Sequence, residues 1–364
     1  MILKNIRLEK KHTRSASMAI LNPILFMFLG LAFSSIFIMF MGFSPLAVFS
    51  KMIKYSFLNM RGLSGSITAG LPLMFCGLSV ALAFRMNLNN IGAEGQFAIG
   101  AIMGGGFAIF APDMPVFLKM ILMFFFCALG GMLWAMIAAV MKAFFNVSET
   151  IVTLMLNYIA LLFLDYLTYG PWMASGQTTA ITETIPKALY LPYFGKTGIS
   201  SGIVVAIIIA LLLFLFLKYT TVGYQIEVIK NSISSAEYAG INVKKNIILV
   251  LGLSGAIAGL AGFVEIAGVV HRIQTQMPNN SGYTGIVIAY LSQFNPIAVI
   301  IVSILFGGLE NSCAAVQLMG VPSQIATMIQ GSIMIFVIAG EFFNRYKVTY
   351  LREGKKGGAR ACKL

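Results

Sequence analysis

Charge is what this chain has least of. Only 10% of its 364 residues are Asp, Glu, Lys or Arg, against 59% hydrophobic. A soluble domain carries about 25% charged residues, so a water-soluble globule is excluded. The mean hydropathy of +0.88 agrees. Histidine is almost missing: His12 lies in the N-terminal tail and His271 stands alone near Arg272. No nucleophile–base pair forms from so few groups, which argues against a membrane-embedded enzyme. The four cysteines (Cys76, Cys127, Cys313, Cys362) show neither metal-ligand nor redox spacing and read as free thiols. No nucleotide-binding loop is present either. Gly195-Lys196-Thr197 has the tail of one, but Tyr190 stands where its first glycine is required.

What is present is a set of apolar runs near the roughly 20 residues that cross a bilayer. The predicted class is all-α: a polytopic helical membrane protein of about ten membrane segments (8–10), surrounded by membrane lipid. The net charge of +13 is no nucleic-acid signal. Twelve of the 25 Lys and Arg lie in two tails: Lys4, Arg7, Lys10, Lys11 and Arg14, then Arg345, Lys347, Arg352, Lys355, Lys356, Arg360 and Lys363. This positive-inside pattern places both termini in the cytoplasm and makes the number of crossings even. The expected organisation is a basic tail (1–18), a transmembrane domain (19–341) and a second basic tail (342–364). The first run, residues 19–42, is too long for a signal-peptide core and reads as a retained span.

The chain is organised around Asn87-Leu88-Asn89-Asn90-Ile91-Gly92-Ala93-Glu94-Gly95-Gln96, which separates two apolar runs, 67–84 and 97–111. Polar, non-helical backbone survives at membrane depth only when buried in protein or lining a wet cavity. An ionisable group there marks a pathway by default. Asn87, Asn90, Glu94 and Gln96 are thus candidates for a translocation path, as are Asn157 and Tyr158 near the middle of the fifth span, 149–169. Glu94 has two readings: it faces the path and hydrogen-bonds a substrate, or it pairs with Arg85 across the break, since an unpaired buried charge is expensive.

Residues 43–66 carry Lys51, Lys54 and Arg61 and read as an interfacial amphipathic segment. Gly100-x-x-x-Gly104 and the run Ser254 to Gly262 offer nearly bare faces for close helix packing. Residues 170–198 form a long external loop. Residues 218–245 form a hydrophilic cytoplasmic loop with a short helix ending at Gly240. Late in the chain, 283–294 and 297–308 read as two short pieces broken at Asn295-Pro296, the pattern of a discontinuous helix.

These stretches resemble the permease subunits of bacterial ABC importers for branched-chain amino acids, ribose and nucleosides, and most of all the nucleoside type. The likeness rests on Phe84-Arg85 with Asn90-Ile91-Gly92-Ala93-Glu94-Gly95-Gln96, on Thr153 to Ala160, on Ser254 to Gly262, and on Tyr283-Thr284-Gly285-Ile286 through Asn295-Pro296. It extends over about residues 67–340. It implies a multi-pass protein of the bacterial plasma membrane that binds no cofactor itself. ATP would be used by a separate ATPase with tandem domains, alongside a second, different permease and an external substrate-binding lipoprotein. It implies a purine or related nucleoside as substrate, with a simple sugar such as ribose as the alternative. The coupling helix for the ATPase would comprise Ser234, Ser235, Ala236, Glu237, Tyr238, Ala239 and Gly240. Glu227, Lys230 and Ser232 depart from the family's usual residues there. An ion-coupled carrier using Glu94, Asp165, Glu265 and Glu310 is the rival from another class, and it would need no docking loop.

Overall fold

A computed structural model describes residues 6–10, 16–195, 197–322 and 324–350. Most of the basic tails, with His12, Cys362 and Lys196, lie outside the described residues. Helix α1 (Ala16–Phe40) is followed by α2 (Pro45–Phe57), bent by 116° from its residues Ile24–Phe40. Val48, Met52 and Ser56 are buried at four-residue spacing while Lys51 and Lys54 are exposed. That is an amphipathic helix with one anchored face.

Helix α3 (Met60–Arg85) is the buried axis of the fold. Then come α4 (Ala93–Phe110), α5 (Val116–Phe145) and α6 (Glu149–Tyr169). Helix α7 (Gly202–Tyr219) leads to two short helices, α8 (Thr221–Asn231) and α9 (Ile233–Tyr238). Helix α10 (Val243–Glu265) ends in a π-helical turn, Ile266–Val270. Helices α11 (Ser281–Leu291), α12 (Pro296–Gln317) and α13 (Gln324–Arg345) complete the bundle.

The glycine-rich faces meet as close packing requires. A side chain at Gly100 would strike Gly259 of α10, one at Gly262 would strike Ala101, and one at Gly255 would strike Gly131 of α5. Backbones approach this closely because van der Waals contact, not water exclusion, holds helices together in lipid.

Among the described residues, seven helices can cross a membrane by length and composition, or eight if the bent α1–α2 pair is one span. Ser281–Leu291 and Thr327–Gly340 are shorter apolar helices, so length alone does not reach ten. The expected second short piece, 297–308, is in fact the first half of α12, which continues to Gln317. Polar residues end the hydropathy run there but not the helix, because their side chains find partners. Asn311 donates to the Gly62 carbonyl at 3.0 Å, and Glu310 accepts from Gln330 at 3.1 Å. Asn295 caps α12 by accepting from the Ile297 N–H at 3.0 Å, with Pro296 at its first turn. One feature was not legible in the tails: β1 (Ile6–Lys10) pairs antiparallel with β2 (Tyr346–Tyr350).

Candidate functional site

The two breaks found in the sequence meet in space. The connection after α3 is short, residues 86–92. It opens with Asn87 at φ 57, whose N–H bonds Phe84 O while Leu88 N–H bonds Ala83 O. This is a Schellman termination with asparagine in the left-handed position. Arg85 donates to the Phe294 carbonyl at 3.1 Å, at the far end of α11.

Deeper in, Asn90 and Gln96 pair amide to amide at 3.0 Å in both directions. Asn90 also donates to Ser254 Oγ at 2.8 Å and accepts from the Gly92 N–H at 2.9 Å. Asn157 accepts from the Gly95 N–H at 2.9 Å and donates to the Ile91 carbonyl at 2.9 Å and to Tyr283 Oη at 3.3 Å. A helix start leaves backbone N–H groups unpaired, and these side chains satisfy those of Gly92 and Gly95 at the start of α4, inside the bundle. Asn157 lies two turns along α6 from Glu149, about 12 Å at 1.5 Å per residue. Helix α4 therefore begins inside the membrane thickness.

Glu94 does not pair with Arg85. Its Oε1 accepts from the Asn280 N–H at 2.8 Å and its Oε2 from the Gly282 N–H at 2.6 Å. It thus caps the start of α11, where the backbone N–H groups and helix dipole favour an anionic group. Glu94 also sits in the first turn of its own helix. Two helix N-termini abut around one carboxyl group. Gly282 permits the approach, because a Cβ there would collide with the Glu94 backbone.

Beside this junction lies a polar cavity of about 340 Å³ lined by Glu94, Leu161, Asp165, Gln276, Asn279 and Asn280. Leu161 and Asp165 continue the face of α6 that carries Asn157. Gln276, Asn279 and Asn280 all have positive φ and are exposed. They lie in an irregular segment, 271–280, level with the junction at Asn280. Such backbone is not tolerated against lipid, so it faces water or protein. These three residues escaped the sequence reading; a polar run between two apolar ones was their signal.

The expected path residues divide. Asn90, Glu94, Gln96 and Asn157 are gathered at the junction. Tyr158 is 56% exposed on the outside of α6. Asn87 is exposed at the end of α3 and donates to the Lys230 carbonyl at 3.0 Å. Nearby, Lys142 and Glu149 form an ion pair at 2.9 Å, and Glu149 also accepts from the Asn89 N–H at 3.2 Å. At the opposite end His271 stacks on Tyr190, centroids 3.6 Å apart and planes at 8°.

The segment expected to couple, residues 218–245, contains two short helices joined at Ser232. Thr220 caps α8 through the Gly223 N–H at 3.1 Å, and Ser232 caps α9 through the Ser235 N–H at 3.2 Å. Serine thus does the capping asked of it. Gly240, at φ 75, ends the turn. Only Ala236 faces inward; Ser234, Ser235, Glu237, Ala239 and Tyr238 are exposed, Tyr238 at 97%.

Comparison with known proteins places this geometry in context. Residues 62–338 match the family described as branched-chain amino acid transport system / permease component. The guanosine ABC transporter permease protein NupP of Bacillus subtilis is 30% identical over 93% of this chain and 97% of its own. The glucose ABC transporter permease protein TsgB13 of Haloferax volcanii is 27% identical over 94% and 93%. The nucleoside ABC transporter permease protein NupB of Lactococcus lactis is 26% identical over 87% and 90%.

Proposed function

The chain belongs to the branched-chain amino acid transport system / permease component family, and from that premise we propose that it carries a nucleoside inward across a bacterial plasma membrane. As an ABC permease it is a multi-pass transport subunit, not an enzyme, and the ATP is used by a partner ATPase. The observation that carries the substrate path is the polar cavity beside the Glu94 junction, open on one face of the chain. A nucleoside offers hydroxyl and amino donors to Glu94 and Asp165 and acceptors to Gln276, Asn279 and Asn280. At about 340 Å³ the cavity is at the small end of ligand pockets.

The names of two relatives, a guanosine and a nucleoside permease, favour a nucleoside. The glucose permease relative supports a simple sugar as the second reading. The polar wall at 271–280 calls for a second permease across the path, and the paralogous guanosine permease proteins NupP and NupQ of B. subtilis support a pair of different chains. An external lipoprotein would deliver substrate to residues 170–198, and an ATPase with tandem domains would dock on residues 234–240. The β1–β2 ribbon supports both tails lying on one side, taken here as the cytoplasm. Residues 19–341 would form the transmembrane domain, with 218–245 as its coupling loop.

Uptake by host cells lacking this chain, with and without its restoration, tests the substrate. Restored uptake of tritiated guanosine, unaffected by excess ribose or glucose, is expected. Competition by a sugar and not by nucleosides would favour the second reading.

A further inference from the structure

We infer that Asn87 is a positioning residue that transmits movement of the coupling helices to the junction of α4 and α11; the inference rests on the ATP-driven permease reading. Asn87 occupies the left-handed position that ends α3. Glycine adopts that conformation without penalty, whereas asparagine only tolerates it. Backbone geometry alone therefore does not call for an amide side chain.

The amide has a task of its own. Its Nδ2 donates to the carbonyl of Lys230, in the last turn of α8, two residues before the elbow at Ser232 that joins α8 to α9. Among the described residues this is the one side-chain hydrogen bond between residues 86–92 and the α8–α9 segment. A groove between Met86, Asn87, Leu88 and Ile229, Ser232, Ile233 otherwise separates the two. Two residues before Asn87, Arg85 holds the end of α11 through Phe294 O. Phe294 sits at φ 58, a conformation strained for a bulky residue and typical of places where strain is part of a mechanism. Seven residues after Asn87, Glu94 holds the start of α11. The end of α3 is thus tied to the coupling elbow on one side and to both ends of α11 on the other. A displacement of the α8–α9 pair reaches the helix junction through the one hydrogen bond that α8 makes with Asn87.

The test compares Asn87→Gly and Asn87→Asp in the complete transporter. Glycine keeps the left-handed backbone and removes the donor. Aspartate keeps the shape and sets a carboxylate oxygen against the Lys230 carbonyl. Initial uptake of tritiated guanosine by host cells is measured per chain in the membrane. ATP hydrolysis by the complex purified from the same cells is measured alongside. The loss of one neutral hydrogen bond predicts roughly a fivefold fall in uptake for Asn87→Gly and a larger fall for Asn87→Asp. ATPase association and hydrolysis should stay at wild-type levels, which is the signature of lost coupling. Wild-type uptake by Asn87→Gly would overturn the inference, because the residue would then serve the turn alone. Loss of the ATPase from the Asn87→Gly complex would overturn it too, as a docking role. Wild-type cells moving neither guanosine nor ribose would instead sink the permease reading beneath it.

Discussion

Replacing Glu94 by alanine removes the cap of α11 and leaves the N–H of Asn280, an exposed residue, and the buried N–H of Gly282 without acceptors. The bonds they lose are 2.8 and 2.6 Å long. An unsatisfied buried donor costs about 1–3 kcal/mol, while water can replace part of the bond at Asn280, so the change should destabilise the junction by about 1–3 kcal/mol. Total stability of a domain is only about 5–15 kcal/mol. Glu94→Ala should therefore abolish uptake, and the purified chain should melt earlier in detergent. Glu94→Gln keeps one acceptor oxygen but turns an NH₂ toward the other N–H, so its loss should be intermediate. Gly282→Ala attacks the same contact from the opposite side, since its Cβ would meet the Glu94 backbone. Overpacking costs about 1–3 kcal/mol, and this variant should resemble Glu94→Ala in both assays. Thermal melts and uptake are read together. A Glu94→Ala chain with the wild-type melting temperature and wild-type uptake would refute the capping argument.

Two further predictions follow from single contacts. Asn157→Leu keeps the volume of the site but strands the Gly95 N–H and the Ile91 carbonyl; a loss of about 1–3 kcal/mol per group is expected, seen as a lower melting temperature and reduced uptake. Tyr238→Ala removes a side chain that is 97% exposed among the described residues. Its melting temperature should not change, while recovery of the ATPase with the tagged chain should fall; unchanged recovery would take Tyr238 out of the docking surface.

Parts of the fold are legible where local pattern decides structure. Helix α6 runs from Glu149 to Tyr169 as expected from its hydropathy, and the bare face of α10 packs as its glycines require. The stop at Gly240 follows from the left-handed conformation that glycine allows. The polar decade 87–96 was recognisable as a break because membrane-depth polarity has few explanations. What escaped depends on partners distant in the chain. Glu94 and Asn280 are 186 residues apart, and no spacing rule joins them, so Arg85 was the nearer guess. Asn157 and Tyr158 are neighbours in sequence, yet a helix turns them about 100° apart, one inward and one outward. The length of α12 was hidden because Glu310 and Asn311 lower the hydropathy while bonding to α13 and α3. The β1–β2 ribbon pairs segments from opposite ends of the chain.

As an ABC permease, the chain uses ATP through an ATPase on a separate protein. Gentle detergent extraction of the tagged chain from its own host, with mass spectrometry of what accompanies it, tests that most directly. A soluble protein with tandem ATPase domains and a second, different permease should accompany it. A stably folded chain recovered alone, or only with copies of itself, would contradict it.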